Sequence, residues 1–134
     1  MDAGEARAEP GGDMKVLIID DEEDTRSIAS MSLSIIGGID VLEAESGQEG
    51  IAKAEAEQPD AILLDMMMPV MDGENTLSAL QANAGTQKIP VIFLTAKAMS
   101  SEIERLKRMG AAGVLTKPFD PTVLAEQVKA ILEA

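Results

Sequence analysis

The stretch Lys15-Val16-Leu17-Ile18-Ile19-Asp20-Asp21 joins a nearly continuous apolar run to a pair of acids. Such a run is typical of a strand that is buried on both faces, as the strands of parallel sheets are. The pattern returns at Ala61-Ile62-Leu63-Leu64-Asp65, where an apolar strand again ends at an aspartate. Two such strands, separated by segments of helical periodicity, indicate a parallel α/β sheet.

Short apolar strands alternate with amphipathic helices throughout residues 14–134. The remaining strands are predicted at residues 41–44, 91–94 and 113–116. In the first helix, Ile28, Met31 and Ile35 share one face and are predicted to point to the core. Gly37-Gly38 is predicted to end that helical segment. The pattern therefore predicts an α/β fold, with a five-stranded parallel sheet and helices on both faces.

Two helix starts carry capping signals. Ser46 stands three residues before Glu49, which is the spacing of a capping box at the start of the second helix. Asp120 is predicted to cap the last helix, with Pro121 in the first helical position.

The chain of 134 residues accommodates one domain of this kind, at residues 14–134. Residues 1–13 show no apolar period and are expected to form a flexible N-terminal tail. No apolar run approaches the roughly 18 to 20 residues that span a bilayer. The N-terminus also lacks the basic start and apolar stretch of a signal peptide. We therefore expect a cytoplasmic protein without a membrane partner.

The composition excludes several kinds of chemistry. The formal net charge is −13, from 11 basic and 24 acidic residues, so direct binding to nucleic acid is not expected. The absence of Cys excludes disulfides and thiolate nucleophiles. The absence of His excludes a Ser-His-Asp triad and the commonest zinc sites. Any chemistry must use carboxylates, hydroxyls and lysines.

Polar side chains collect where the predicted strands end. Open parallel sheets bind ligands beyond the carboxyl ends of their strands. Five side chains that are far apart in sequence are therefore expected to meet in one crevice, namely Asp20, Asp21, Asp65, Thr95 and Lys117. Any one of them alone could be an ordinary loop residue, but their common edge of the sheet indicates a site.

The residue types at this edge suit phosphoryl chemistry. Three carboxylates within roughly 4 to 6 Å repel one another by several kcal/mol unless a cation is present. Mg²⁺ prefers oxygen ligands and neutralises charge on a transferring phosphoryl group. A carboxylate can act as the nucleophile and form an aspartyl phosphate. A lysine and a hydroxyl can then bind the phosphoryl oxygens.

From Met14 to the C-terminus the chain resembles a two-component response-regulator receiver domain. The motifs that carry the resemblance are Asp20-Asp21, Asp65-Met66-Met67-Met68-Pro69 with Asp72-Gly73, Thr95-Ala96 and Lys117-Pro118-Phe119. Each motif is short, and their order and spacing together make the match specific. The resemblance implies a flavodoxin-like, doubly wound (βα)5 fold with the strand order 2-1-3-4-5.

The resemblance also implies a role for each site residue. Asp65 would be the phosphoacceptor, Thr95 the switch hydroxyl and Lys117 the ion-pair partner of the phosphoryl group. The implied ligands of Mg²⁺ are Asp20 (mainly through water), Asp21, Asp65 and the backbone carbonyl of Met67. The Lys117-Pro118 bond is expected to be cis. Phosphorylation and dephosphorylation would be self-catalysed, so the protein is not expected to be an enzyme in any other sense.

Partners follow from the same resemblance. A sensor histidine kinase or a histidine phosphotransfer protein would donate the phosphoryl group. A downstream protein would bind the face formed by the fourth helix, the fifth strand and the fifth helix.

The chain departs from the family at Val114, where a Tyr, Phe or His commonly stands three residues before the lysine. Signal output would then depend on the Thr95 loop and the helix that follows it.

Three alternatives are weaker. A haloacid-dehalogenase-like phosphatase also uses an Asp nucleophile and Mg²⁺, but usually has a second Asp where this chain has Met67. A pseudo-receiver typically loses the acid pair, the acceptor or the lysine, and all of them are present here. A nucleotide- or flavin-binding module is disfavoured because no Gly-rich loop follows the first strand.

Overall fold

The computed structural model describes residues 14–97 and 99–134, so the tail predicted at residues 1–13 lies outside the described part. The strands are β1 (Lys15–Ile19), β2 (Asp40–Ala44), β3 (Ala61–Asp65), β4 (Val91–Thr95) and β5 (Gly113–Thr116). The helices are α1 (Glu23–Met31), continued by a π-helical turn (Ser32–Ile36), α2 (Gly47–Glu57), α3 (Gly73–Ala82), α4 (Ser100–Arg108) and α5 (Leu124–Glu133). Among these helices, none is long and apolar enough to cross a membrane.

The five strands form one parallel sheet in the order β2-β1-β3-β4-β5, which confirms the predicted fold class and strand order. Alternate side chains of β1 enter two different cores. Leu17 and Ile19 pack with residues of α2, α3 and α4 on one face, and Val16 and Ile18 pack with α1 and α5 on the other. Because both faces are covered, the central strands β3 and β4 are apolar at every position before their carboxyl-terminal residues.

The first helix corrects the sequence analysis. Ile28, Met31 and Ile35, which were predicted to face the core, are 48%, 60% and 74% exposed. The buried apolar positions are Ala29 and Leu33, which pack in the core between the sheet, α1 and α5. The helix carries two apolar stripes, and helical spacing cannot choose between them. The stripe with the small Ala29 allows the helix to approach the sheet closely, and this stripe is the buried one.

Two of the predicted helix boundaries are confirmed. Ser46 caps α2, because its hydroxyl accepts a hydrogen bond from the backbone N–H of Glu49 at 3.1 Å. The Glu49 carboxylate in turn accepts a hydrogen bond from the backbone N–H of Glu45 at 2.7 Å. After the π-helical turn, Gly38 adopts φ +66°, a left-handed conformation that suits glycine and ends the helical segment.

The predicted start of the last helix was wrong. Asp120 does not cap α5, which begins later, at Leu124. The Asp120 carboxylate instead accepts hydrogen bonds from the backbone N–H and the hydroxyl of Thr122, at 2.9 and 2.7 Å. Aspartate side chains compete with the backbone in this way, and here the result is a separate turn that precedes the helix.

Candidate functional site

The carboxyl ends of four strands bring the predicted site residues to one edge of the sheet. Asp20 directly follows β1, and Asp65 is the last residue of β3. Thr95 ends β4 and is paired with Thr116, the last residue of β5, so that Lys117 follows at the same level. Because the strands are parallel, residues from distant parts of the chain meet without any long loop.

The Lys117 ammonium lies at the centre of the site. Its Nζ is 2.9 Å from Asp20 Oδ2 and donates a hydrogen bond to Asp65 Oδ1 at 3.1 Å. A third carboxylate, that of Glu22, lies 3.6 Å away. The bond between Lys117 and Pro118 is cis, as expected. Asp20 is fully buried and Asp65 nearly so, which means that solvent and salt screen their charges poorly.

Three carboxylates surround a position that a cation could occupy. Ligand oxygens of Asp20, Asp21 and Asp65 all lie within 4.8 Å of one another. Asp20 Oδ1 accepts a hydrogen bond from the backbone N–H of Glu22 at 2.9 Å. Asp20 Oδ2 is fully buried, and the contact that compensates its charge is the ion pair with the Lys117 ammonium. A buried carboxylate oxygen in this state fits an additional cation with a preference for oxygen ligands.

The surroundings of the site raise the pKa values of both Asp65 and Lys117. Burial, reinforced by repulsion from Asp20, raises the pKa of Asp65 from its ordinary 3.8 to about 6, although the hydrogen bond from Lys117 acts in the opposite direction. Burial by itself lowers the pKa of Lys117. The hydrogen bonds and charges of Asp20 and Asp65 outweigh that effect and leave the lysine pKa above its ordinary value. At neutral pH the lysine is therefore charged, and the Asp65 anion is destabilised by its surroundings.

A cleft of about 360 Å³ gives access to Asp65. Its walls are formed by Asp21, Glu22, Asp65, Met66, Met67, Thr95, Ala96 and Lys117. The Thr95 hydroxyl accepts a hydrogen bond from the Lys97 N–H and donates one to the Lys97 carbonyl, both at 3.2 Å. The Met67 side chain is 77% exposed, while its backbone N–H donates a 3.4 Å hydrogen bond to Asp65 Oδ1. Every predicted site residue except the buried Asp20 lines this cleft, and Asp20 is linked to it through Lys117.

The loop after Asp65 is folded tightly against the end of β3. The backbone N–H of Gly73 donates to the Met66 carbonyl at 3.0 Å, and that of Met71 donates to the Pro69 carbonyl at 2.7 Å. The second bond closes a γ-turn centred on Val70, whose φ is +68° and whose side chain is fully exposed. This conformation is strained for a β-branched residue.

Two contacts of the site were not predicted from the sequence. Glu22 contacts Lys117 and lines the cleft. The one signal in the sequence that could have indicated this contact is the position of Glu22 in a run of acidic residues. Arg26, one helical turn later, donates to the Asp20 carbonyl oxygen at 2.8 Å and to Glu43 Oε1 at 3.2 Å. Arg26 therefore ties α1 to the ends of β1 and β2, a contact that exists only in the folded chain.

Comparison with known proteins identifies this arrangement. Residues 16–129 match the response regulator receiver domain family, so the chain belongs to that family. It is accordingly a receiver domain of two-component signalling, and receiver domains are a signalling family.

Several relatives are similar over most of the chain. The alkaline phosphatase synthesis transcriptional regulatory protein PhoP of Bacillus subtilis is 38% identical over 122 residues, which are 88% of this chain and 48% of PhoP. Protein PilH of Pseudomonas aeruginosa is 36% identical over 118 residues, which are 88% of this chain and 97% of PilH. The structure of chemotaxis protein CheY4 of Vibrio cholerae has a TM-score of 0.81 and 32% identity, and the match covers 88% of this chain and 98% of CheY4. The chain thus spans about half the length of PhoP and nearly all of PilH and CheY4.

Proposed function

We propose that Asp65 accepts a phosphoryl group from the phosphohistidine of a sensor histidine kinase or a histidine phosphotransfer protein, in a reaction that requires Mg²⁺. The observation that carries the proposal is the Lys117 ammonium, which contacts Asp20 at 2.9 Å and Asp65 at 3.1 Å. A fixed positive charge beside the acceptor oxygen is in place before the phosphoryl group arrives, and such preorganised charge is an effective way to stabilise phosphoryl transfer.

The proposed step uses groups of the chain itself. An oxygen of the Asp65 carboxylate attacks phosphorus and forms an acyl phosphate. The bond between phosphorus and the donor nitrogen breaks, and the imidazole leaves with the electron pair and takes up a proton from water. The Lys117 ammonium balances the new negative charge, and the Thr95 hydroxyl donates a hydrogen bond to a phosphoryl oxygen after it releases the Lys97 carbonyl. Since the donor contributes only the phosphoryl group, a small phosphodonor is expected to serve as well.

The metal ligands in this proposal are Asp20, Asp21, Asp65 and the backbone carbonyl of Met67. The cluster of carboxylate oxygens within 4.8 Å and the full burial of Asp20 support this assignment. Bound Mg²⁺ would supply positive charge to the carboxylates and the phosphoryl oxygens. Without a cation, the acidic residues around the cleft repel an anionic phosphodonor.

The surface beside the cleft supports a protein as donor. An adjoining apolar groove of about 450 Å³ shares Glu22, Ala96 and Lys117 with the cleft and continues along Ile28 and Phe119. A protein that brings a phosphohistidine to the cleft must also cover this groove, so we place the donor here. The downstream partner is assigned to the separate face formed by α4, β5 and α5. The proposed site of action is the cytoplasm, where the ATP that charges such donors is available.

The test is incubation with Mg²⁺ and acetyl phosphate, followed by measurement of the intact mass of the protein. The mass is measured again after treatment with hydroxylamine, which cleaves acyl phosphates but not phosphothreonine. We expect the wild type and the control variant Asp40→Asn, altered at the opposite end of the sheet, to gain one HPO₃ that hydroxylamine removes. Asp65→Asn and metal-free wild type should gain none. Phosphate on the Asp65→Asn variant would overturn the acceptor assignment, and an unmodified wild type would favour an interaction module that is never phosphorylated.

A further inference from the structure

Helix α4 is attached to the rest of the protein by few buried contacts. Of its nine residues, Leu106 is the side chain that is fully buried. The residue that precedes it, Met99, provides no side-chain hydrogen bond to cap the helix. The helix begins at Ser100, five residues after Thr95. A helix with these properties can move at little cost when the segment before it moves.

One side chain compensates for this weak attachment. The Arg105 guanidinium forms a two-pronged ion pair with Glu74 of α3, with Nη2–Oε2 at 2.6 Å and Nη1–Oε1 at 3.1 Å. Its Nε also donates to Glu102, one turn earlier in α4, at 2.8 Å. The hydrogen bonds from Arg105 hold the pKa of Glu74 below its ordinary value, so this carboxylate is ionised at neutral pH. Two-pronged arginine–carboxylate pairs are directional as well as strong.

The ion pair borders the region that must respond to phosphorylation. A cleft of about 310 Å³ separates the loop after β3 from the loop after β4. Its lining includes Thr95 and Lys97, and also both partners of Arg105, Glu74 and Glu102. The Thr95 hydroxyl is bonded to the backbone of Lys97 on both sides, so it cannot turn toward a phosphoryl group without disturbing the segment that leads into α4.

No aromatic side chain is available on β5 to transmit that change. The position three residues before Lys117 is Val114, which is partly buried against the core. A valine has no ring that can rotate between a buried and an exposed position. Movement of the Thr95 loop must therefore be transmitted directly to α4, where the Arg105 ion pair resists it.

From these contacts we propose that Arg105 is a positioning residue that latches α4 to α3 in the unphosphorylated protein, and that phosphorylation acts by opening this latch. The inference rests on the proposed function of Asp65. Because binding and conformation are linked, a latch that stabilises only the unphosphorylated arrangement must weaken the binding of a phosphoryl group or its analogue. Removing the latch should then strengthen that binding, although it removes a favourable contact.

The experiment measures the affinity of the full chain for beryllofluoride, an analogue of the phosphoryl group, in the presence of Mg²⁺. The chain has no Trp or Tyr, so isothermal titration calorimetry replaces fluorescence. The variants are Glu74→Gln and Arg105→Gln, with Arg108→Gln as the matched control on the same helix. For Arg108 the described residues show no ion pair. Thermal unfolding is measured on every variant to separate a loss of stability from a change in affinity.

We expect Glu74→Gln and Arg105→Gln to bind beryllofluoride about two- to fivefold more tightly than the wild type, the range that a half-exposed ion pair supports. Both variants should unfold at the same or a slightly lower temperature, and Arg108→Gln should match the wild type in affinity. Variants that lose stability without any gain in affinity would show a purely structural ion pair and overturn the latch alone. A wild type that does not bind beryllofluoride would overturn the proposed function, and the latch with it.

Discussion

Replacing Asp65 by Asn should stabilise the metal-free protein at neutral pH and leave its stability almost unchanged near pH 4. The reason is the raised pKa of Asp65, about 6 in the folded protein against an ordinary value of 3.8. Burial is its largest cause, because the ionised carboxylate loses water that the folded protein does not fully replace. Asn has nearly the same shape and carries no charge, so it avoids this cost.

The sign and the pH window follow from the two pKa values. Between pH 3.8 and about 6 the folded protein holds a proton on Asp65 that the unfolded chain has lost. The free energy of unfolding of the wild type therefore falls as pH rises through this window, and above it the full cost is present. A difference of about 2 pKa units corresponds to about 3 kcal/mol, which is an upper bound for the gain in Asp65→Asn.

Urea unfolding followed by far-ultraviolet circular dichroism measures this difference, in a buffer with a metal chelator, at pH 4 and at pH 7.5. The control variant Asp40→Asn removes an exposed carboxylate and should give the same small difference at both pH values. Adding Mg²⁺ at pH 7.5 should reduce the difference in the free energy of unfolding between Asp65→Asn and the wild type. A ligand that binds only the folded state stabilises the protein, and the wild type keeps the Asp65 carboxylate as a proposed ligand. An Asp65→Asn variant with equal stabilisation at both pH values, or with none at pH 7.5, would refute the electrostatic argument.

Two further predictions concern the loop after Asp65. Val70→Asn should stabilise the protein by about 1 kcal/mol, because Asn tolerates the left-handed conformation and no buried apolar surface is lost at this fully exposed position. Thermal unfolding checks this, and Val70→Ile should behave like the wild type. Gly73→Ala should destabilise by about 2 kcal/mol in urea, since the new Cβ would lie 2.6 Å from the Asp65 carbonyl oxygen. Gly85→Ala, where the nearest contact is a side-chain oxygen at 3.3 Å, is the control, and equal losses in the two variants would contradict the prediction.

The sequence-based predictions agree best with the structure where the local sequence pattern and the tertiary environment require the same residue types. A central strand covered on both faces needs an unbroken apolar run, so Ala61–Asp65 was recognisable without the fold. The polar residue that ends such a strand must lie at the edge of the sheet. This geometric rule is why Asp65 and Lys117 could be assigned to one site although 52 positions separate them. Their chemical roles remain predictions that the phosphorylation experiment tests.

The errors arise where several local solutions have similar energies. In α1 and the π-helical turn that continues it, the stripe of Ile28 and Met31 and the stripe of Ala29 and Leu33 both satisfy helical spacing. Only packing against the sheet and α5 selects the second stripe. Near the C-terminus, Asp120 can cap either a helix or a turn, and the structure adopts the turn. Periodicity and capping rules describe one helix or strand at a time. They do not include the neighbouring elements, whose packing determines which of the alternatives is adopted.

By itself, the sequence determined the parallel sheet, its five strands and the residues that gather at the carboxyl ends of the strands. Local sequence patterns suffice for this, because they indicate both the burial of a strand and its direction. Only the tertiary structure decided the environment of those residues. The raised pKa of Asp65 depends on burial and on charges from other strands. The pairing of Arg105 with Glu74 joins two helices through residues that are 31 positions apart, and helical spacing rules do not apply over that distance. Such contacts depend on how the helices are placed around the sheet.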